Sequence, residues 1–367
     1  MFKIPSNIPF RVDRFPFFYG WIILIAGLTG VLMSVPGQTM GVSVFTDHLI
    51  QDLEISRVQL SLAYFIGTAM SGLIITYAGI LYDKMGARVI AIGSGIMVGA
   101  VLIYLTRITE LANRLTEVFQ IADKEKLMLP LLVIGFFGLR FFGQGVLTMT
   151  SRNMVMKWFD KRRGFANAIL GAFTSLGFSL SPAIFQGLID SNGWRGAWIS
   201  IAVVVGIIFS IFAFFIFRDN PEDAGLIPDG KKVEIKKKKL KTTSERNYTL
   251  KEAIKTYSFW IFNLNLTMFA LYFTALTFHV ESIFRHAGYS NEVAVTIFPP
   301  ASIIALIFTF AGSWLSDYTR LKYFLILNIF GLMLSMFGLL YLKEPFGIPL
   351  LIIGNGITIN LYNCKDN

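Results

Sequence analysis

Long apolar stretches alternate with shorter polar segments along most of the chain. A helix that crosses about 30 Å of hydrocarbon needs about 20 mostly apolar residues. Ten stretches meet that requirement, the last of them only weakly: 17–46, 57–82, 87–106, 128–151, 163–190, 195–217, 258–281, 292–316, 322–342 and 347–362. The pattern therefore predicts an all-α polytopic membrane protein with about ten transmembrane helices.

The distribution of basic residues predicts how these helices are oriented. If the N-terminus is cytoplasmic and the spans alternate, most of the 33 Lys and Arg residues fall on the cytoplasmic side, as the positive-inside tendency requires. The net charge of +10 then reflects membrane orientation rather than nucleic-acid binding. We expect a multi-pass protein of the cell membrane, embedded in the lipid bilayer as a monomer, with no nucleic-acid partner.

Composition supports this interpretation and argues against several other classes of protein. The chain is 54% hydrophobic and only 15% charged, whereas soluble domains are about a quarter charged. Cys364 is the only cysteine and the three histidines are scattered, so neither a disulfide framework nor a cysteine-rich metal site is predicted. The spans hold no catalytic constellation and the chain has no nucleotide-binding loop. We predict no enzyme activity, no cofactor and no metal.

A polar, lysine-rich segment divides the chain into two parts. We predict a six-helix bundle over 1–217, a cytoplasmic linker over 218–257 and an incomplete second bundle over 258–367. The linker is expected to be solvated and flexible because its positive charges repel one another. A docking patch for anionic lipid headgroups is the alternative.

The turn between the second and third spans reads "GILYDKMGAR" and contains Gly79, Asp83, Lys84, Gly86 and Arg88. The two glycines permit close approach of the helices. The aspartate is placed to accept hydrogen bonds from amides at the start of the next helix, where the helix dipole favours an anion. The basic residues lie at the cytoplasmic surface. The segment is therefore a candidate charged clasp that forms in one conformation and breaks in another; a plain tight turn is the alternative.

A degenerate copy of this turn joins the eighth and ninth spans, "GSWLSDYTRLK", with Asp317 and Arg320. Two related halves are typical of secondary transporters, whose site lies between the halves near the midplane. The two arginine- and aspartate-bearing turns are the candidate gating elements.

These motifs resemble those of a known family. "GILYDKMGAR" is similar to the loop motif of the major facilitator superfamily. The segments "FYGWIIL", "KWFDKRRGFANAILGAFTSLGFSLSPAIF" and "RDNPEDAGLIPDG" resemble its monocarboxylate and oxalate/formate porter branch. The resemblance implies a twelve-helix, two-bundle fold, alternating access and a small organic anion, such as a monocarboxylate, as cargo.

Arg140 lies in the middle of the fourth span, in "LLVIGFFGLRFFGQG". A cation at the centre of a membrane helix costs about 2.5–3.5 kcal/mol on insertion scales, so it usually has a specific partner. One hypothesis is that Arg140 contacts the anionic cargo or acts in gating. The other is that it binds backbone carbonyls freed inside the first bundle.

Polar residues of spans one, four, seven and ten line the cavity, as the resemblance implies. The candidates are Gln38, Gln144, Asn263, Asn265, Thr267, Tyr272 and Asn355. Each of them is equally a candidate for a hydrogen bond between helices. Span eight lacks the basic residue of the oxalate-type anion clamp, so that clamp is not predicted here.

The resemblance implies twelve spans, two more than the sequence contains. We expect a truncation or a variant of the fold, and a ten-span chain that is less stable than the full-length form. Besides a transporter, the alternatives are a transporter-like solute sensor and an inactive truncated transporter.

Overall fold

The computed structural model describes most of the chain as helices. The described residues are 4–119, 124–230, 252, 254–316 and 321–358. No strand occurs in these ranges. They form two compact units, one ending at Gly230 and the other beginning at Lys231.

The described residues of the first unit form nine α-helices and two π-helical segments that interrupt them. In chain order they are α1 (Gly20–Leu32), α2 (Thr39–Ser43), α3 (Thr46–Leu53), α4 (Arg57–Thr106), α5 (Ile108–Phe119), α6 (Lys124–Gly138), a π-helix (Leu139–Leu147), α7 (Thr148–Trp158), α8 (Arg163–Val203), a second π-helix (Val204–Phe209) and α9 (Ser210–Ile216).

Two of these helices are too long to cross a bilayer once. At 1.5 Å per residue, the 50 residues of α4 would extend about 75 Å if they were straight. Gly86, with a φ of 82°, interrupts α4, and Gly193, with a φ of 68°, interrupts α8. Only glycine adopts this conformation without steric cost. Each glycine therefore separates two of the predicted spans.

The first predicted span, 17–46, is not one continuous helix. Helix α1 ends at Leu32, and a 3₁₀ turn, Val35–Gly37, follows. Gln38 is extended, with a ψ of 156°, before α2 begins. A proline inside an apolar run cannot donate its share of helical hydrogen bonds, and Pro36 occupies this turn.

The broken segment of the first span packs against the π-helix of the fourth. A Cβ added to Gly37 would overlap the backbone oxygen of Leu139, and one on Gly143 would lie 3.0 Å from the Cα of Gly37. The two backbones therefore interlock, and both glycines are required by the close approach.

The second unit has five described helices. They are α10 (Tyr257–Ala287), α11 (Asn291–Thr296), α12 (Phe298–Ser316), α13 (Leu321–Leu340) and α14 (Gly347–Thr358). Helices α13 and α14 pack closely, since a Cβ on Gly354 would overlap the backbone nitrogen of Ser335.

The surface of the described residues carries many large apolar side chains. Leu73 is 79% exposed and Leu340 is 81% exposed. Soluble monomers rarely expose contiguous apolar surface on this scale. Six helical stretches are long and apolar enough to cross a membrane by length and composition. Gly86 and Gly193 each divide one of these into two predicted spans, and the shorter apolar helices cover the predicted spans eight and ten.

The first unit includes the beginning of the segment that the sequence predicts as a linker, because it extends to Gly230. The lysine-rich part, 231–251, lies outside the described residues. The predicted domain boundaries therefore stay predictions.

Candidate functional site

Arg140 is the second residue of the π-helix in the fourth span and is only 7% exposed. Its Nη1 donates to the carbonyl oxygen of Gly37 and to Oγ1 of Thr39, each over 3.4 Å. Both acceptors belong to the break in the first span. The binding of a freed carbonyl is what the structural hypothesis for Arg140 predicted.

Tyr64 of α4 forms a wall of the same site. The guanidinium carbon of Arg140 lies 5.2 Å from the centre of the Tyr64 ring, within the range of a cation–π interaction. The Tyr64 hydroxyl donates to Thr39 Oγ1 over 3.0 Å. The ring of Phe136 packs edge-on against Tyr64, at 5.4 Å between centroids. The sequence did not single out Tyr64 or Thr39, because both resemble ordinary span residues.

The positive charge of Arg140 is not balanced by a carboxylate among the described residues. Its bonding partners are neutral, and its Nε is buried with no hydrogen-bond partner. A buried donor left unsatisfied costs about 1–3 kcal/mol, and more when it is charged. The arrangement therefore favours an additional anionic or strongly accepting group at this guanidinium.

The other first-unit candidates lie next to Arg140 in the structure. The Gln38 Nε2 donates to Ser34 Oγ over 3.1 Å and to Thr148 Oγ1 over 3.3 Å. Gln144 is half-buried, and its backbone nitrogen would lie 2.8 Å from a Cβ on Gly37. The fold thus brings all three candidates of the first unit to one place, the junction of the broken span and the π-helix.

The candidates of the second unit, unlike those of the first, do not come together at one place within their unit. The hydroxyls of Tyr272 and Ser335 lie 2.5 Å apart, and Ser335 Oγ donates to Asn355 Oδ1 over 2.9 Å. All three residues are buried, so Tyr272 has the helix-to-helix hydrogen bond that was its alternative role. Asn263 and Thr267 are exposed within this unit. Their side chains bond to backbone carbonyls one turn back on α10.

At the turn in α4, a carboxylate caps the start of the third span. Oδ1 of Asp219 accepts a hydrogen bond from the backbone nitrogen of Arg88 over 3.0 Å. A Cβ on Gly86 would overlap the same carboxylate, so Gly86 is needed both for its backbone conformation and for this space. The sequence predicted that Asp83 would accept this bond, and that prediction is wrong. Asp83 is exposed.

Two further details of the turn correct the prediction. A Cβ on Gly79 would meet no neighbouring atom within 4 Å among the described residues, so Gly79 does not serve a close approach. Arg88 is not at the surface but is 1% exposed, whereas Lys84 is exposed as predicted. The second copy of the turn, with Asp317 and Arg320, lies outside the described residues.

The Arg88 side chain joins separate parts of the first unit. Its Nε donates to the carbonyl of Phe217 over 2.7 Å, and its Nη1 donates to those of Ile8 over 2.8 Å and Pro5 over 3.3 Å. Arg88 therefore ties the end of the sixth span and the N-terminal segment to the start of the third.

A second aspartate after the sixth span was also missed by the sequence reasoning. The Asp229 carboxylate accepts from the backbone nitrogens of Asp160, Lys161 and Arg162, over 3.2, 2.6 and 3.4 Å. It thus holds the loop that precedes α8. Both missed aspartates belong to "RDNPEDAGLIPDG", a segment that the sequence singled out only by resemblance.

Comparison with known proteins gives distant relatives and a shared fold. The probable hexose phosphate transport protein of Chlamydia trachomatis is 26% identical over 256 residues, which cover 62% of this chain and 54% of that protein. Monocarboxylate transporter 6 of Homo sapiens is 25% identical over 197 residues, which cover 52% of this chain and 34% of that protein. The chain spans about half the length, or less, of these curated relatives.

The fold is also found among solved structures. A bacterial homologue of the human lysosomal transporter Spinster, in an inward-facing and unoccupied conformation, matches with a TM-score of 0.61 at 16% identity, over 94% of this chain and 74% of that one. The family model of the Major Facilitator Superfamily matches residues 22–363. Since that match spans nearly all of the sequence, the chain is an all-α, multi-pass membrane protein that belongs to the Major Facilitator Superfamily.

Proposed function

We propose that the chain is a secondary transporter that moves small organic anions across the cell membrane by alternating access, with Arg140 binding the cargo's carboxylate. The N-terminus lies in the cytoplasm in this proposal, so the Arg88–Asp219 clasp is at the cytoplasmic end of the first unit. No covalent step is involved. The helices of each unit tilt in the membrane, so that the binding site opens to one side and then to the other. Gradients of solute or ions across the membrane supply the energy.

The observation that carries this proposal is the unbalanced charge of Arg140. It is buried in the fourth span, and its hydrogen bonds to the described residues go only to neutral groups, each over 3.4 Å. Hydrogen bonds from a guanidinium to a carboxylate are shorter and about twice as strong as those between neutral groups. A carboxylate at this position would therefore bind with a net gain.

The surroundings of Arg140 favour a cargo with one negative charge. Among the described residues of the first unit, Arg140 is the one cation at this junction, and the groups of Thr39, Tyr64, Gln38 and Gln144 are neutral. A second carboxylate would have to be buried without a cation, which is costly. Monocarboxylates are therefore the preferred class within this proposal.

The names of the relatives are consistent with an anionic cargo. One is named for hexose phosphate and another for monocarboxylates, and both classes carry negative charge. The structural neighbour, at 16% identity, supports the fold alone.

The test is ligand-induced thermal stabilisation of the purified protein in detergent. The probes are acetate, lactate, malonate, succinate and glucose 6-phosphate, with xylose as an uncharged control. We expect stabilisation by a monocarboxylate in the wild type and none in Arg140→Gln. The matched control is Arg107→Gln, because Arg107 is an exposed arginine of the same unit, paired with Glu110. An equal shift in wild type and Arg140→Gln would contradict the proposal and leave Arg140 a purely architectural role.

A further inference from the structure

The contacts of Arg140 allow its guanidinium two roles: it can bind an anionic cargo, and it can bond to the break in the first span. We propose that Thr39 and Tyr64 are positioning residues that hold Arg140 on the Gly37 carbonyl, so that an anionic cargo competes with the broken first span for the same guanidinium. This inference rests on the proposed function and adds a link between occupancy of the site and the conformation of the first span.

Thr39 connects the members of the site. Its Oγ1 accepts from Arg140 Nη1 over 3.4 Å and from the Tyr64 hydroxyl over 3.0 Å. The Tyr64 ring covers one face of the guanidinium at 5.2 Å. The guanidinium is thus held from one side by a ring and at one end by Thr39 and the Gly37 carbonyl.

The bonds that hold Arg140 are weak enough to be exchanged. Both acceptors are neutral and lie at 3.4 Å, beyond the usual range of 2.7–3.2 Å for an N–H···O bond. A carboxylate would form shorter, charge-assisted bonds, frequently bidentate with arginine. The carboxylate would bind the Nε that has no partner, and these shorter bonds would draw the guanidinium away from the two acceptors of Nη1.

That exchange has a consequence for the first span. Gly37 lies in the 3₁₀ turn between α1 and α2, and its carbonyl would lose the Arg140 donor. The turn interlocks with the π-helix, with no space for a side chain on Gly37. π-Helical turns and broken helices are frequent at functional sites because their backbones can rearrange locally. Binding of the carboxylate would thereby release the break between α1 and α2.

The test uses substitutions that remove the competing groups but keep their shapes. Thr39→Val and Tyr64→Phe together remove both hydroxyls, so that neither is left as an unpaired partner of the other. If the hydroxyls compete with cargo, the double variant binds acetate or lactate about three- to ten-fold more tightly, the factor expected for one lost hydrogen bond. The turnover of transport falls, because Arg140 returns to Gly37 less readily. KM and kcat therefore decrease together.

A purely structural role gives a different result. Loss of packing would lower kcat and leave the affinity unchanged or weaker. Thr39→Ser keeps the hydroxyl and should restore both the affinity and the turnover of the wild type. If the double variant does not fold, Thr39→Val alone removes the side-chain acceptor of Arg140 and should raise the affinity and lower the turnover by smaller factors. Unchanged or weakened affinity in the folded variants overturns the inference.

Binding to Arg140→Gln tests the proposed function independently of the competition with the first span. If Arg140→Gln binds the same monocarboxylates as the wild type, the anion site itself is wrong. If Arg140→Gln loses binding while the Thr39→Val/Tyr64→Phe variant matches the wild type, the anion site stands and only the competition with the first span is wrong.

Discussion

Arg88 and Arg140 are both buried in the first unit, yet they are used in opposite ways. Arg88 donates to three backbone carbonyls at 2.7–3.3 Å, and its backbone nitrogen bonds to Asp219. Arg140 makes only two bonds at 3.4 Å, both from one nitrogen, and no carboxylate lies beside it among the described residues. Arg88 also has a buried nitrogen without a partner, its Nη2, so neither burial nor one unsatisfied donor distinguishes an architectural arginine from one available to a ligand; the number and length of the hydrogen bonds do.

The same substitution at both positions tests this difference, and the larger expected effect is at Arg88. Arg88→Met removes three hydrogen bonds from a charged donor, to the carbonyls of Phe217, Ile8 and Pro5. The Phe217 carbonyl keeps Arg218 Nη1 and the Pro5 carbonyl keeps the Ile8 nitrogen. Since a hydrogen bond to a charged group contributes about 1.5–3 kcal/mol, the free energy of unfolding should fall by about 3 kcal/mol. Denaturation of the detergent-solubilised protein measures it. Lys84→Met is the control, because Lys84 is exposed on the same turn; an equal loss there would contradict the assignment.

The next largest expected change in stability distinguishes Gly86 from Gly79, the two glycines of the turn. Gly86→Ala introduces a Cβ that overlaps the Asp219 carboxylate at a residue with a φ of 82°. With a ψ of 169°, this backbone conformation is essentially restricted to glycine and costs another residue about 1–3 kcal/mol, so a loss of about 2–3 kcal/mol is expected. Gly79→Ala, in open space within the helix, should instead stabilise by about 0.5–1 kcal/mol. Thermal midpoints of the two variants should move in opposite directions, and a shared direction would refute the distinction.

How far the sequence predicts these roles depends on the distance between partners along the chain. The apolar pattern and the glycine in "GILYDKMGAR" predict the spans and the turn, because both are local properties. Asp219 lies 131 residues from Arg88, and nothing local indicates that it, rather than the adjacent Asp83, reaches the helix start. Likewise, the burial of Arg140 can be predicted from its position in an apolar span. Its contacts with Thr39 and Tyr64 depend on the break at Gly37. The apolar pattern of the first span does not show where the helix breaks.

The effect at Arg140 should appear in ligand binding rather than in stability. Arg140→Met replaces an unbalanced buried charge by an apolar side chain of similar length. Since burying a charge without a counter-charge is costly, its removal should leave the stability unchanged or raise it. A hydrogen bond to a charged group contributes about 1.5–3 kcal/mol, so carboxylate affinity should fall by about ten- to a hundred-fold. Calorimetry with lactate measures the affinity and denaturation measures the stability. A destabilisation as large as that of Arg88→Met would remove the contrast between the two arginines.

The smallest effect distinguishes the two aspartates at the turn. Asp219→Asn keeps the shape of the side chain but removes the charge that caps the third span near Arg88. Loss of a charged group near a helix start costs about 0.3–1 kcal/mol, and up to about 2 kcal/mol in a partly buried position. Asp83→Asn should change the stability by less than about 0.5 kcal/mol, because exposed positions without specific contacts are usually tolerant. If Asp83→Asn nevertheless slows transport while stability is unchanged, Asp83 forms its contact in another conformation, as expected of a gating residue. If neither stability nor transport changes, the clasp consists of Asp219, Gly86 and Arg88 without it.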